Sequence, residues 1–126
     1  MNEITIVRNE NTPVRNDDKD ATFSVYYSIK SDKGKYKPTL CHQTIIEAVA
    51  RVREFGASRY GGYDTWKRVE EQRYRDALYR HWLAYLDNPD GLDSESGLLS
   101  LWHVACNLDF LLEMQKERLS DANDKC

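Results

Sequence analysis

The sequence predicts a mainly α protein, a compact helical bundle with a short N-terminal β-hairpin or an extended arm before it. Apolar residues recur at helical spacing in three segments, and turns rich in Gly, Pro and Asp separate those segments. The length of 126 residues is enough for one modest core. We therefore divide the chain into an N-terminal arm or hairpin (1–32), a helical domain (33–118) and a frayed tail (119–126).

Composition and charge exclude several classes of protein. The formal net charge of −3 argues against a nucleic-acid partner, because nucleic-acid binding needs a basic face. The three cysteines are widely spaced and form no C-x-x-C pair, so neither a disulfide framework nor a zinc site is expected. No apolar run approaches the roughly 18 residues of a membrane span. The polar N-terminus is not a signal peptide, and we expect a cytoplasmic protein with no membrane partner.

The N-terminal segment differs in texture from the rest of the chain. Residues 22–29 (TFSVYYSI) are rich in β-branched and aromatic residues and predict a strand. Paired with the weakly alternating residues near Ile4, this strand would form a hairpin. The alternative is an arm that is ordered only against a partner subunit.

The first predicted helix begins near Gln43, and its apolar residues follow an i, i+3, i+4, i+7 pattern. Gly56 is a plausible end for it. The segment that follows combines glycines with aromatic and basic residues. This composition is typical of a binding loop, although a turn that Trp66 anchors in the core is the alternative.

Two further helices are predicted across a short acidic turn. The first, at about residues 69–86, is apolar nearly all round and is expected to be buried on several sides. The second is expected to start at an N-cap formed by Asp93 or Ser94, with Glu95 in its first turn, and to run to about Arg118.

Several polar residues on these apolar helices need an explanation. His103 and Asn107 are four residues apart and share a helical face, so they either point into a cleft or form a buried hydrogen bond between helices. His81 lies within an aromatic stripe and is either a ligand-binding or a core histidine. Its neighbour Arg80 is part of a basic edge that would hold phosphate, or else pairs with Asp76 along the helix.

The positions of several carboxylates are also compatible with more than one role. Glu47 and Glu54 share a helical face, and carboxylates are the ligands that Mg²⁺ prefers. Glu47 also stands four residues before Arg51, the spacing of an ordinary helix ion pair. Asp109 falls among apolar residues of the third helix. Either a partner or cleft supplies a cation to it, or the helix is rotated from the expected placement.

Three strings carry a resemblance to a known family: IIEAVARVREFGASRYGGYDTW, RYRDALYRHWLAYL and DSESGLLSLWHVACNLDFLLEM. Their order and spacing over about residues 33–115 resemble the phage and prophage family of dATP/dGTP diphosphohydrolase N-terminal domains. This family is grouped with MazZ-like and MazG-like nucleotide pyrophosphohydrolases. The most specific parts are F-G-A-x-x-Y-G, the Arg80–His81 pair, E-S-G and H-x-x-x-N.

The resemblance implies a fold of the all-α NTP pyrophosphatase type in a homo-oligomer. It implies Mg²⁺- or Mn²⁺-dependent hydrolysis of a purine deoxynucleoside triphosphate, dGTP or dATP, to monophosphate and pyrophosphate in a cytoplasm, that of the bacterial host if a phage encodes the chain. The implied catalytic residues are Glu47, His81, Glu95, His103 and Asn107, with Glu47 and Glu95 as metal ligands. The implied nucleotide-binding residues are Lys37, Arg59, Tyr60, Trp66 and Arg80.

The sequence departs from the MazG pattern in one respect. The E-x-x-E and E-x-x-D carboxylate pairs of MazG-type enzymes are absent. Two alternatives to an enzyme therefore stay open: a non-catalytic protein that binds or sequesters a nucleotide, and a structural or interaction protein built as a helical oligomer.

Overall fold

A computed structural model describes residues 30–124 of the chain. It contains three α-helices, α1 (Gln43–Tyr60), α2 (Glu71–Asp87) and α3 (Ser100–Asp124). Two 3-10 turns, Pro38–Leu40 and Thr65–Arg68, lie outside these helices. Residues 30–124 contain no β-strand, and the prediction of a mainly α protein is confirmed. The predicted hairpin falls on residues outside the described range.

The helical unit begins at Thr39, and α3 is its central element because it packs against both α1 and α2. The buried apolar residues of the described chain are few: Ala48, Val52 and Cys106. Residues 30–38 belong to a separate unit and are exposed, with one turn in which the N–H of Lys35 donates to the carbonyl of Asp32 at 3.0 Å.

Helix α1 continues through Gly56 and ends at Tyr60, so the prediction that Gly56 ends it is wrong. Gly61 has φ of 93°, in the left-handed region that glycine adopts without steric cost. The N–H groups of Gly61 and Gly62 both donate to the carbonyl of Ala57, at 3.1 and 3.2 Å. The helix therefore stops where a glycine meets the positive φ that a C-terminal cap requires.

The turn between α2 and α3 is longer than the sequence predicts, because α3 begins at Ser100 and not after Asp93 or Ser94. An isolated antiparallel bridge joins Leu92 and Leu99, and the N–H of Asp93 donates to the carbonyl of Leu98 at 2.7 Å. These contacts close residues 92–99 into a loop. The side chain of Asp93 caps that loop and not a helix.

The far end of α3 also differs from the prediction. The helix runs to Asp124, past the expected end at Arg118. Arg118 forms an ion pair with Glu71 at the start of α2, and this contact ties the last turns of α3 to its neighbour.

Burial of α2 is less complete than predicted within one copy of the chain. Tyr79, Leu83 and Leu86 are more than half exposed. Among residues 30–124, none of the helices is long and apolar enough to cross a membrane.

Candidate functional site

A cavity of about 680 Å³ opens within the helical unit, in the size range of small-molecule sites in proteins. One part of its lining is aromatic and apolar, and the other carries imidazole, guanidinium and carboxylate groups. All three helices and the α1–α2 and α2–α3 connections contribute. The lining residues with guanidinium, imidazole, carboxylate or carboxamide side chains are Arg53, Arg73, Asp76, Arg80, His81, Asp93, Glu95, His103 and Asn107.

Two histidines lie together in this cavity. His81 of α2 and His103 of α3 stack with ring centroids 4.3 Å apart and an interplanar angle of 13°. The rings of Phe55, on α1, and His103 form a T-shaped contact with a centroid distance of 6.4 Å and an interplanar angle of 87°. The stacked pair therefore joins the two helices that the acidic turn connects.

The loop before α3 brings a carboxylate and a hydroxyl to the imidazoles. Ser96 Oγ lies 2.6 Å from His103 Nε2 and accepts a hydrogen bond from the N–H of Leu98. Asp93 Oδ2 accepts hydrogen bonds from the N–H groups of Glu95 and Ser96 at 3.1 and 2.9 Å. The same carboxylate lies 4.0 Å from His81 Nδ1 and 3.9 Å from His103 Nε2. The loop thus holds the His103 ring by a hydrogen bond and places the Asp93 carboxylate near both rings.

Burial and charge set the protonation of this cluster. Burial lowers the pKa of His81, which outweighs the opposing effect of Asp93. Burial and the neighbouring His81 lower the pKa of His103. Burial acts to raise the pKa of Asp93, but the hydrogen bonds from Ser96 and the nearby imidazoles lower it overall. At neutral pH the site therefore holds two neutral imidazoles beside an ionised carboxylate.

Asn107 is buried and lines the cavity, but its amide does not bond the His103 ring. Its Nδ2 donates to the main-chain carbonyl of His103 at 2.8 Å, within the same helix. The predicted alternative of a His–Asn hydrogen bond between helices is therefore wrong.

Glu95 lies at the exposed edge of the site. Its carboxylate forms an ion pair with Arg59, at the end of α1, at 2.9 Å. This pair closes the α2–α3 loop against α1. Arg80 lines the cavity next to His81, and its guanidinium forms no hydrogen bond or ion pair with another residue in the described range.

Two of the predicted nucleotide-binding aromatic residues line the cavity, one with its ring packed and the other with its ring exposed. Trp66 stacks on Phe110 with centroids 4.9 Å apart, and the guanidinium of Arg53 lies over its ring at 5.9 Å. Trp66 therefore anchors the α1–α2 connection against α3. Tyr60 is 63% exposed, and its ring is available to a ligand.

The structure thus brings together His81, Glu95, His103 and Asn107, along with Tyr60, Trp66 and Arg80, and places Arg59 on Glu95. It does not bring Glu47 to them. Glu47 is exposed on α1 and pairs with Arg51 at 2.8 Å, the helix pair expected as its alternative role. Lys37 is exposed and belongs to the separate N-terminal unit.

The donor groups do not form a preassembled metal site. No cluster of three or more His, Cys, Asp or Glu side chains suited to a metal ion occurs in residues 30–124. Glu95 is engaged by Arg59, and one oxygen of Asp93 accepts two main-chain N–H groups. The side chains present therefore do not fit a resident metal in this arrangement.

A cysteine nucleophile is also disfavoured. Cys106 lines the cavity but is buried, and burial with the nearby Asp109 carboxylate raises its pKa to about 12. A thiol with that pKa holds its proton at neutral pH and is a poor nucleophile.

Sequence reasoning missed Asp93 and Ser96 as members of the site. The sequence predicts Asp93 only as a helix N-cap, a role that aspartate often serves at helix starts, and it contains Ser96 only as part of the E-S-G element. The available signal was the close spacing of Asp93, Glu95 and Ser96 in the turn that leads to His103.

Comparison with known proteins identifies a matching family. The sequence model of a family described as "dATP/dGTP diphosphohydrolase, N-terminal" matches residues 27–124. No curated protein and no solved structure matches the chain significantly.

Proposed function

Since this chain belongs to the family of dATP/dGTP diphosphohydrolase N-terminal domains, we propose that its cavity binds a purine deoxynucleoside triphosphate and hydrolyses it to monophosphate and pyrophosphate. The observation that carries the proposal is the stacked pair of neutral histidines in a cavity with basic and aromatic walls. A nucleoside triphosphate needs basic residues for its phosphates and an aromatic surface for its base.

The basic residues of the cavity suit the triphosphate. Arg53, Arg73 and Arg80 line it, and guanidinium groups bind phosphate oxygens through paired hydrogen bonds. Arg80 adjoins His81 in sequence. We therefore assign Arg80 to the phosphates nearest the reacting bond.

The exposed ring of Tyr60 suits the base. Aromatic side chains stack on the flat faces of nucleobases, and Tyr60 stands at the cavity with its ring open to a ligand. One face of Trp66 is already covered by Phe110, so Tyr60 is the better stacking candidate.

The neutral imidazoles supply a base for water. In the proposed reaction His81 takes a proton from a water molecule whose oxygen attacks the α-phosphorus, and the bond from that phosphorus to the bridging oxygen breaks to release pyrophosphate. Asp93, at 4.0 Å from His81 Nδ1, stabilises the imidazolium that results. Ser96 and Asn107 hold His103 and its helix in place.

The divalent ion is not a resident cofactor of the protein in the proposed reaction. Because the described side chains do not form a metal cluster, we propose that Mg²⁺ or Mn²⁺ enters with the triphosphate as part of the substrate.

Incubation of the pure protein with dGTP and dATP, each with Mg²⁺ or Mn²⁺, tests the proposal. Anion-exchange chromatography separates the monophosphate and pyrophosphate from the triphosphate. We expect turnover by the wild type and a fall of about 10²–10⁴-fold in kcat for His81→Gln, the effect of losing a general base. Glu95→Gln is expected to lower activity as well.

A matched control uses an acidic residue outside the cavity. Asp87→Asn, at the exposed end of α2, changes a carboxylate to an amide as Glu95→Gln does and is expected to keep wild-type activity. No turnover of either nucleotide by the wild type would rule out the hydrolase.

A second candidate is nucleotide binding without hydrolysis. The observation that favours it is the lack of a metal-binding cluster in residues 30–124. It predicts heat release when dGTP or dATP is titrated into the protein, no product after prolonged incubation, and identical behaviour of Glu95→Gln and the wild type in the hydrolysis assay.

A further inference from the structure

A short basic segment, residues 30–38 (KSDKGKYKP), precedes the helical unit. Four of its nine residues are lysines and one is an aspartate, so the segment carries a net charge of +3 in a chain whose formal net charge is −3. The charge of the whole chain argues against a nucleic-acid partner, but it does not describe this segment. We call residues 30–38 the lysine segment.

The lysines of this segment are exposed and have no internal partner. Their ammonium groups and the carboxylate of Asp32 form no hydrogen bond or ion pair with another residue in the part of the chain that the structure describes. Lysines that neutralise phosphates release the counter-ions condensed on a nucleic acid, and this release favours association. The four ammonium groups are therefore available for contacts with a polyanion.

The backbone of the lysine segment narrows the kind of polyanion. Residues 30–37 contain neither helix nor strand and make one turn, in which the N–H of Lys35 donates to the carbonyl of Asp32 and Gly34 takes a φ of 83°. The segment has no aliphatic side chain and no amphipathic helix, the feature by which basic segments lie in a membrane surface. Its chemistry thus suits a charged, flexible chain better than a lipid surface.

Tyr36 adds an aromatic ring between two of the lysines. Its side chain is 89% exposed and makes no ring contact with another residue of the described range. Proteins that bind single strands combine basic residues on the phosphates with aromatic rings that stack on the bases. In a duplex the neighbouring pairs already cover both faces of each base, so an exposed ring beside lysines favours a single strand.

We propose that the lysine segment binds a single-stranded nucleic acid, with its lysines on the phosphates and Tyr36 stacked on one base. Phosphates and base faces are common to DNA and RNA, so strands of both kinds are expected to bind with similar affinity. The residues involved do not line the cavity, and the proposal does not depend on the proposed hydrolase activity.

Fluorescence anisotropy of a labelled single strand of about 12 nucleotides, titrated with the full chain at several salt concentrations, tests the lysine contacts. Each phosphate contact contributes about −0.7 to the slope of log K against log salt concentration, so four lysines predict a slope of about −3. Lys33→Gln/Lys35→Gln is expected to reduce the slope to about −1.4. Lys67→Gln/Lys116→Gln removes the same charge from exposed positions elsewhere and is expected to leave the slope unchanged.

The same assay tests the base contact. Tyr36→Leu is expected to weaken binding about fivefold or more, because it removes the ring that stacks on a base, and to leave the salt slope unchanged. A strand of equal length that lacks bases keeps the phosphates and is expected to bind the wild type and Tyr36→Leu equally. Tyr79→Leu, at a 65% exposed position on α2, is the matched control and is expected to bind as the wild type does.

Three results would overturn the proposal. The first is a lack of binding to both DNA and RNA strands at low salt. The second is binding that Lys33→Gln/Lys35→Gln leaves intact, which would place the nucleic acid on another surface. The third is equal affinity for strands with and without bases, or tighter binding to vesicles of phosphatidylserine and phosphatidylcholine, which would show that the segment recognises negative charge alone.

Discussion

At the scale of single residues, the site depends on how two imidazoles are held. Ser96 Oγ lies at hydrogen-bond distance from His103 Nε2, and Asp93 lies near a nitrogen of each ring. Neither residue acts through burial of apolar surface. Their contribution is to place a hydroxyl and a carboxylate beside the nitrogens of the two rings.

Ser96→Ala tests the orienting role. Loss of a hydrogen bond worth about 1–1.5 kcal/mol is expected to lower kcat for dGTP or dATP about tenfold, with KM little changed. Ser96→Thr keeps the hydroxyl and is expected to restore most of the rate. Steady-state kinetics of the three proteins measure both parameters, and an unchanged kcat in Ser96→Ala would show that the contact does not position His103.

The lowered pKa values of His81 and His103 predict how stability depends on pH. The unfolded histidines take up protons near their ordinary pKa of 6.5, while the folded ones resist protonation until a lower pH. The unfolded state therefore binds more protons below pH 6.5, and the free energy of unfolding falls as the pH drops from 7.5 to 5.

Thermal unfolding followed by circular dichroism checks this dependence. The Tm of the wild type is expected to fall over that pH range, and His81→Gln is expected to show a shallower fall because one titrating group has been removed. A Tm that is constant or rises as the pH drops through 6.5 would contradict the burial of the two rings.

The sequence predicts the position of a side chain correctly where the helical period alone determines that position. His103 and Asn107 are both buried on the inner face of α3, as their four-residue spacing allows. Asp93 and Ser96 escaped prediction because they act from a loop, whose shape depends on contacts such as the Leu92–Leu99 bridge that no periodicity encodes.

At the scale of elements, the three helices were predicted and several of their ends were not. Apolar periodicity is a property of a whole helix, whereas the position of a helix end depends on the backbone conformation of one or two residues. Both Gly56 and Gly61 are plausible ends of α1. The second glycine is used because it takes a φ of 93°, while Gly56 stays within the helix.

Two alanine substitutions separate these roles. Neither added methyl group would meet a neighbouring atom within 4 Å, so backbone conformation alone decides the result. Gly61→Ala is expected to lower the free energy of unfolding by about 1–2 kcal/mol, because an L-residue is strained at positive φ. Gly56→Ala is expected to raise it by about 0.5–1 kcal/mol, because alanine is favoured over glycine inside a helix.

Urea unfolding of the two variants and the wild type measures these differences. Equal effects of the same sign at both positions would show that α1 does not end in a left-handed glycine cap.

At the scale of the whole molecule, the two faces of α3 differ in burial. The inner face carries the buried His103 and Asn107 to the cavity, while Leu108 and Leu112 on another face are exposed. The amphipathic pattern predicts that one stripe of the helix is buried, but periodicity alone does not determine which face packs against α1 and α2. Asp109 illustrates this: its place among apolar residues is evident in the sequence, whereas its partly buried state depends on how the helices pack.

The central claim is that the cavity with the stacked histidines is the nucleotide site, and the three histidines of the chain provide its most direct test. His42 is exposed at the start of α1 and does not line the cavity, so it serves as an internal reference. Imidazole NMR signals, assigned by single His→Gln variants, are to be followed while dGTP or dATP is added. The account predicts that the signals of His81 and His103 shift in a saturable way while that of His42 stays in place; a nucleotide that binds and leaves both cavity histidines unshifted would contradict it.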